Sequence, residues 1–228
     1  MKIINTPIKL ADIAGLNTGD IVYLSGTVAT GRDDVHRRVV HEGIESPFDF
    51  REMAVFHAGP IVREPCAGDY SRDPSGKYET VSVGPTSSVR MEEWAADFIG
   101  KTGVRIMIGK GGMGAGTAAA CREHGAIHCV YPGGCAVLGA GQVERIEAVY
   151  WRELGMPECL WVMRVRELGP LIVSIDTKGN NMFAHNAALY ARRMDACMWP
   201  AIEALRGRGG GGEKIPLPIC AVRDKMGP

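Results

Sequence analysis

The chain has 228 residues, enough for one large domain or two small ones, and its hydrophobic fraction of 46% can fill a substantial core. Lysine plus arginine (26) balance aspartate plus glutamate (26), so the charge pattern excludes the basic surface of a protein that binds nucleic acid or anionic membranes. No apolar run approaches the ~20 residues of a membrane-spanning helix, and polar residues interrupt the N-terminal stretch, unlike a signal peptide. We therefore expect a globular cytoplasmic protein.

The first half of the chain alternates strands and helices. Residues 21–28 predict a strand followed by a helix, with Thr30 and Asp33 as its capping box and Val35 and Val39 on its apolar side. Next we expect a strand over 54–57, a polar loop over 64–77 and a strand over 78–83. A helix capped by Ser87 or Ser88 follows, with an apolar stripe of Met91, Trp94, Ala95 and Phe98.

The second half repeats the order strand, glycine turn, helix. Strands over 104–108 and 127–131 run into glycine turns at 109–114 and 132–134. This order is typical of a parallel sheet that binds ligands at the carboxyl ends of its strands. The later elements are expected as a helix over 142–151, strands over 160–165 and 171–175, and a long helix over about 181–205.

These elements predict a single α/β domain over residues 1–206, with a sheet flanked by helices. Residues 207–212 are nearly all glycine, so residues 207–228 are expected to form a glycine-rich linker and tail.

Residues 109–114 match the pattern G-x-G-x-x-G between a strand and a helix. Dinucleotide binding also requires an acidic residue after the next strand, which instead ends at Tyr131, and a P-loop requires Ser or Thr where Gly111 stands. Backbone N–H groups at the helix N-terminus, with Lys110 among them, predict a small anion site instead. The alternative is a tight turn that carries a solvated lysine.

Three cations begin predicted helices that follow strands. Arg32 lies in a first helical turn, where a positive charge opposes the helix dipole by about 0.3–1 kcal/mol. Arg90 and Lys110 have similar positions. Each alone is compatible with a surface charge, but together they predict a pocket for a small molecule with more than one carboxylate.

The seven cysteines include no C-x-x-C pair, and their spacing matches no ferredoxin-type run. Reduced thiols are therefore expected, with Cys121, Cys129 and Cys135 as small buried hydrophobic residues or a loop thiol. The six histidines are scattered without a zinc motif, and His36 is expected on a helix face. We expect no metal ligand on this chain.

Four motifs recur in a fixed order along the chain: Thr30-Gly31-Arg32-Asp33, His57-Ala58-Gly59-Pro60, and residues 84–91 and 109–114. Together they resemble one family of enzymes, the iron-sulfur hydro-lyases. Their order and spacing are similar to those of the β subunit of two-subunit L(+)-tartrate dehydratases and class I fumarases, which is equivalent to the C-terminal domain of single-chain class I fumarases. Residues 153–158 and 169–181 resemble the tartrate dehydratase version most closely.

This resemblance implies a swivelling β/β/α-type fold and an α subunit that binds a [4Fe-4S] cluster through three cysteines of its own. None of the seven cysteines here matches a family ligand. By the family pattern, Thr86 is the catalytic base, while Arg32, Arg90 and Lys110 hold the carboxylates of a dicarboxylate substrate. The general acid is expected from the partner, and the assembly is expected to be a homodimer or a dimer of heterodimers.

The first hypothesis is therefore the β subunit of a hydro-lyase acting on malate and fumarate or on tartrate. The alternative is a non-catalytic module that binds small dicarboxylates or phosphates. A third hypothesis, a nucleotide-dependent enzyme, predicts affinity for NAD or ATP and finds little support in the glycine turns.

Overall fold

The computed structural model describes residues 2–63 and 78–191, together with residues 193, 194 and 198. The chain comprises two compact units, Met1–His185 and Asn186–Pro228. No helix in the described ranges is long and apolar enough to cross a membrane. The predicted loop 64–77, the tail 207–228 and the expected boundary near residue 206 lie outside the described residues.

The first unit has the predicted mixed α/β architecture, with helices against a central sheet. Its described strands are β1 (Lys2–Asn5), β2 (Ile21–Thr30), β3 (Ala54–Phe56), β4 (Ile61–Arg63), β5 (Glu79–Ser82), β6 (Ile106–Gly109), β7 (Ile127–Val130), β8 (Val143–Tyr150) and β9 (Leu160–Ile175). The described helices are α1 (Leu10–Ile13), α2 (Asp33–Val40), α3 (Glu92–Thr102), α4 (Ala115–His124), α5 (Ala136–Gly141) and α6 (residues 182–191).

The central sheet contains seven strands in the order β1-β2-β3-β6-β7-β9-β8. The pairs from β1 to β7 are parallel, whereas β9 is antiparallel to both β7 and β8. The long strand β9 also pairs with β2 along most of its length. Strands β2, β3, β6, β7 and β9 therefore close into a ring, while β4 and β5 form a separate hairpin.

Strands β3, β6 and β7 are buried on both faces, which explains their continuous apolar runs. Phe56 and Ile108 belong to a core cluster inside the ring. Their chain neighbours Val55 and Met107 belong to a second cluster outside it, where Phe98 of α3 packs. Alternate residues of each strand thus serve two cores.

The caps predicted for two helices are wrong. Arg32 is the N-cap of α2 and makes no side-chain capping bond. The Thr30 hydroxyl instead accepts a hydrogen bond from Trp161 N–H (3.0 Å) and donates to the Cys159 carbonyl (3.3 Å). Neither Ser87 nor Ser88 caps α3, because a 3₁₀ helix over Ser88–Met91 precedes it. The hydroxyls of Thr30 and Ser88 form hydrogen bonds with residues distant along the chain instead of capping the helices.

The predicted helix over 142–151 is also wrong, since this segment is strand β8. Antiparallel pairing with the first half of β9 satisfies its backbone and outweighs the helix preference of its Glu, Arg and Ala residues. The strands predicted over 160–165 and 171–175 are one continuous strand, because β9 pairs with β2 across the intervening residues. The helix predicted from about residue 181 is present over 182–191, and its predicted end lies outside the described residues.

Candidate active site

The carboxyl ends of three neighbouring parallel strands carry two of the four predicted site residues, Arg32 and Lys110, and the motif residue His57. Arg32 follows β2, His57 follows β3 and Lys110 follows β6. Because these strands are adjacent, their ends meet at one edge of the sheet, where open α/β sheets bind ligands. Thr86 and Arg90 come from the segment 84–90, which crosses this edge.

Backbone hydrogen bonds hold Thr86 between β3 and β6. The Thr86 N–H donates to the His57 carbonyl (2.7 Å), and the Lys110 N–H donates to the Thr86 carbonyl (3.0 Å). The Ser88 N–H then donates to the Lys110 carbonyl (3.0 Å). Thr86 and Lys110 are therefore backbone neighbours, with the threonine half-buried and the lysine exposed.

Acidic side chains of the same chain join Arg90 to Arg32. Arg90 contacts Asp33 through two atom pairs, Nε to Oδ1 (3.1 Å) and Nη2 to Oδ2 (2.8 Å). Arg32 Nη2 lies 4.0 Å from the same Asp33 oxygen and 2.9 Å from Glu158 Oε1. The structure thus links Arg90 to Arg32 through Asp33, and Glu158 pairs with Arg32 alone. Thr86 and Lys110 are linked through their backbones, and Thr86 and Arg90 belong to the same short segment.

Glu158 is a partly buried acidic partner of Arg32. Its side chain is 18% exposed, as is that of Arg32. Burial raises the pKa of Glu158, and the nearby Arg32 charge opposes this rise. Gly59 lies against the same arginine, since a Cβ at this glycine would be 2.6 Å from Arg32 Nη1. Arg32 is therefore held in a narrow polar crevice rather than on an open surface.

The N-terminus of α4, where the sequence predicts an anion site, already receives an internal carboxylate. Glu92 Oε2 accepts hydrogen bonds from Gly114 N–H (2.6 Å) and from the Thr117 hydroxyl (2.7 Å). Its Oε1 accepts from Thr117 N–H (3.2 Å). The prediction that these N–H groups bind an anion from solution is therefore wrong, because Glu92 accepts their hydrogen bonds. The glycine turn contributes only Lys110 to the candidate site.

Sequence reasoning missed a buried polar group beneath the site. His36, His57 and His128 are fully buried, and so are Ser88 and Ser174. Burial lowers the pKa of His36 to about 4 and that of His128 to about 3, and burial also lowers the pKa of His57 well below its ordinary value. All three imidazoles are therefore neutral near pH 7. His57 directly follows the apolar strand β3, and His128 lies within the apolar strand β7. A polar residue in such a position was the feature of the sequence that could have indicated this buried group.

The described cysteines do not form a ligand set for an iron-sulfur cluster. Cys121, Cys129 and Cys159 are buried and Cys135 is half-buried. Burial raises the pKa of Cys121 to about 12, and burial also raises the pKa of Cys129 and Cys159, which disfavours thiolates at these positions. Among the described residues, no three His, Cys, Asp or Glu side chains are grouped to hold a metal ion.

Comparison with known proteins identifies the family of this chain. The sequence matches the family described as Fumarase C-terminus over residues 2–186. The chain belongs to this family. It is 53% identical over 194 residues to the L(+)-tartrate dehydratase subunit beta of Escherichia coli (strain K12), covering 85% of this chain and 92% of the relative.

Two more distant relatives show the range of this Fumarase C-terminus family. A putative L(+)-tartrate dehydratase subunit beta from Methanocaldococcus jannaschii is 38% identical, covering 75% of this chain and 86% of the relative. A putative fumarate hydratase class I from Geobacillus stearothermophilus is 34% identical, covering 78% of this chain but only 33% of the relative. The chain is thus a β-type member of a hydro-lyase family, and the non-catalytic alternative is not favoured.

Proposed function

We propose that this chain is the β subunit of a hydro-lyase that removes water from a 2-hydroxy dicarboxylate, with L(+)-tartrate as the first substrate and malate as the second. The 53% identity to a tartrate dehydratase subunit, against 34% to a fumarate hydratase, supports this order. The observation that carries the proposal is the convergence of Thr86, Lys110, Arg90 and Arg32 at one edge of the sheet.

The three cations supply the binding chemistry. A dicarboxylate carries two negative charges, and the guanidinium groups of Arg32 and Arg90 each offer a planar fork that matches a carboxylate. Lys110, whose backbone N–H bonds to the Thr86 carbonyl, adds a third positive charge. Asp33 and Glu158 keep both arginines oriented while the site is empty, so their donors are arranged before the substrate arrives.

Thr86 is the proposed base. It removes the proton from the carbon next to one carboxylate, while hydroxide leaves from the neighbouring carbon and is protonated to water by a general acid of the partner. Malate then yields fumarate, whereas tartrate yields an enol that becomes oxaloacetate. Proton removal builds enediolate-like negative charge, which the cations stabilise. The same positive charges favour the threonine alkoxide, without which its hydroxyl is a weak base.

The [4Fe-4S] cluster that the hydro-lyase resemblance implies is assigned to an α subunit. The described thiols of this chain do not fit a cluster site, because they are not grouped with other ligands and burial keeps those of Cys121, Cys129 and Cys159 protonated. The relatives named subunit beta support a partner chain, as does the fumarate hydratase relative, of which this chain matches about a third. We place the complex in the cytoplasm, where thiols stay reduced.

Exposed apolar side chains beside the site support a contact with this partner. Val137 and Leu138 on α5 are 74% and 68% exposed, and Val89, next to Arg90, is 61% exposed. Helix α5 is tied to the site segment, because the Val83 N–H donates to the Ala136 carbonyl (2.9 Å) just before Gly84. A partner seated on this apolar rim completes the site from the open side.

The first test is co-expression with the α subunit, anaerobic reconstitution with iron and sulfide, and assays on L-tartrate, malate and fumarate. A brown complex that releases oxaloacetate from tartrate supports the proposal. A pure, reconstituted complex that is inactive on all three compounds refutes it. Light scattering of the same sample distinguishes a single heterodimer from a dimer of heterodimers.

The second test is Thr86→Ala in the assembled enzyme. Loss of a general base lowers kcat by about 10²- to 10⁴-fold. Substrate binding, measured by calorimetry, should persist because the three cations remain. Thr86→Ser keeps the hydroxyl and should retain more turnover than Thr86→Ala. Near-normal kcat in the alanine variant excludes Thr86 as the base.

A further inference from the structure

A chain of buried hydrogen bonds runs beneath the segment 84–90. Ser88 Oγ lies 2.9 Å from His57 Nδ1 and 3.0 Å from His128 Nε2. His128 Nδ1 lies 2.5 Å from Ser174 Oγ, which in turn bonds to the His128 carbonyl (3.2 Å). All four side chains are fully buried, so each bond is shielded from competition with water.

The direction of this chain follows from its donors. The Ser174 hydroxyl donates to the His128 carbonyl, so its oxygen accepts from His128 Nδ1–H. A neutral His128 then has a free lone pair on Nε2, which accepts the Ser88 hydroxyl proton. The Ser88 oxygen therefore accepts from His57 Nδ1–H. Each hydroxyl donates once and accepts once, and both imidazoles carry their proton on Nδ1.

Gly109 makes room for this arrangement. Strand β6 lies between β3, which precedes His57, and β7, which carries His128. A Cβ at Gly109 would lie only 1.9 Å from Ser88 Oγ. The missing side chain of this glycine thus lets one hydroxyl reach over β6 to both neighbouring strands. The first glycine of the G-x-G-x-x-G pattern accommodates a serine of the same chain.

We propose that Ser88 is a positioning residue, whose buried hydroxyl, held by His57 and His128, fixes the segment that carries Thr86 and Arg90. His57 holds this segment twice, since its carbonyl accepts from Thr86 N–H and its ring bonds to Ser88. Thr86 and Arg90 stand two residues to either side of Ser88. The expected effect of Ser88 on turnover rests on the function proposed above. The anchoring of residues 84–90 by the Ser88 hydroxyl does not depend on that function.

The test compares Ser88→Ala with Ser174→Ala. Both substitutions remove a fully buried hydroxyl from the same hydrogen-bond chain and leave imidazole nitrogens without a partner. Only Ser88 belongs to the site segment. Thermal melting of both variants measures the loss of stability that follows from removing a buried hydroxyl. Ser88→Cys is a conservative variant of similar size.

Hydrogen–deuterium exchange on the full chain reads the anchoring without any assay of activity. In Ser88→Ala, amides of residues 84–90 should exchange about tenfold faster than in the native protein, because the segment opens locally. Ser174→Ala should leave their exchange rates unchanged, and Ser88→Cys should be intermediate. Equal protection of this segment in all variants overturns the proposal.

Kinetics of the assembled enzyme read the catalytic consequence. Ser88→Ala should lower kcat by about 10- to 100-fold, because small displacements of reacting groups are costly. Ser174→Ala should retain kcat within a few-fold. If both variants lose kcat in proportion to their melting temperatures, Ser88 is merely structural and the proposal fails. An inactive native complex instead refutes the proposed function and leaves the exchange result to decide the anchoring.

Discussion

Arg90 and Asp33 meet in a two-point contact across the candidate site, with Nε 3.1 Å from Oδ1 and Nη2 2.8 Å from Oδ2. Asp33 is the first residue of α2, and Arg90 lies in the segment that carries Thr86. The contact therefore links the end of β2 to the proposed base. A lysine cannot reproduce it, because its ammonium is a single charge without a planar fork.

Arg90→Lys should therefore weaken substrate binding while preserving the charge of the site. Loss of one charge-assisted hydrogen bond costs about 1.5–3 kcal/mol, which corresponds to a tenfold or greater increase in KM. Stability should change little, since Arg90 is 49% exposed. Steady-state kinetics of the assembled enzyme measure this effect.

Arg166→Lys is the matched control. Arg166 is 77% exposed and pairs with Glu144 on the neighbouring strand β8. Its replacement should leave KM unchanged. An unchanged KM in Arg90→Lys as well would exclude Arg90 from substrate binding.

Gly109→Ala should destabilise the chain. The new Cβ would lie 1.9 Å from Ser88 Oγ and 3.1 Å from His57 Nδ1, so the buried hydroxyl has to move. Overpacking of this kind costs about 1–3 kcal/mol. Gly133→Ala is the control, because a Cβ there meets no atom within 4 Å. Urea unfolding of both variants gives the comparison, and equal stabilities would contradict the packing described for Ser88.

Stability should fall as the pH decreases from about 6.5 towards 4. The folded chain keeps His36 and His128 neutral, because burial lowers the pKa of His36 to about 4 and that of His128 to about 3. The unfolded chain takes up these protons below its ordinary pKa of 6.5. Protons therefore favour unfolding in this window, by about 1.4 kcal/mol per pH unit for each such histidine.

Urea unfolding between pH 7 and pH 4.5 measures this slope. His36→Phe should reduce the slope by the contribution of about one proton, because the variant lacks this titrating group. The variant should still fold, since a phenyl ring can pack against Phe98 and the Arg32 carbonyl keeps its helical hydrogen bond from the residue 36 N–H. His41→Gln is the control, since His41 is exposed. A slope that is unaltered in His36→Phe would mean that His36 titrates normally in the folded chain.

Leu138→Asp should weaken assembly with the α subunit. The side chain is 68% exposed on α5, so the substitution places a charge on the proposed contact without disturbing the core. Affinity should fall at least about tenfold, as expected when a charge enters an apolar contact. Ile21→Asp is the control, because Ile21 is 55% exposed at the opposite end of β2 from the site. Similar affinities of the two variants for the α subunit would show that Leu138 does not lie in the contact with this partner.

The family could be predicted from sequence because its motifs are short and continuous along the chain. The same motifs contain Arg32, Thr86, Arg90 and Lys110, which remain a predicted site. Strands β3, β6 and β7 were predictable as well, since burial on both faces produces apolar runs that are visible locally. The helix expected over 142–151 failed because its true partner, β9, supplies the backbone bonds that decide its conformation. The roles of the catalytic and binding residues stay predictions.

The sequence by itself determined which residues meet at the carboxyl ends of β2, β3 and β6, because strand order and motif order follow the chain. Only the tertiary structure decided how those residues are held. Glu92 binds the N-terminus of α4 across 22 residues, Ser88 joins His57 to His128 over Gly109, and Glu158 reaches Arg32 from before β9. Each contact joins side chains that are distant along the chain, and no local pattern of hydrophobicity or propensity records such a pairing.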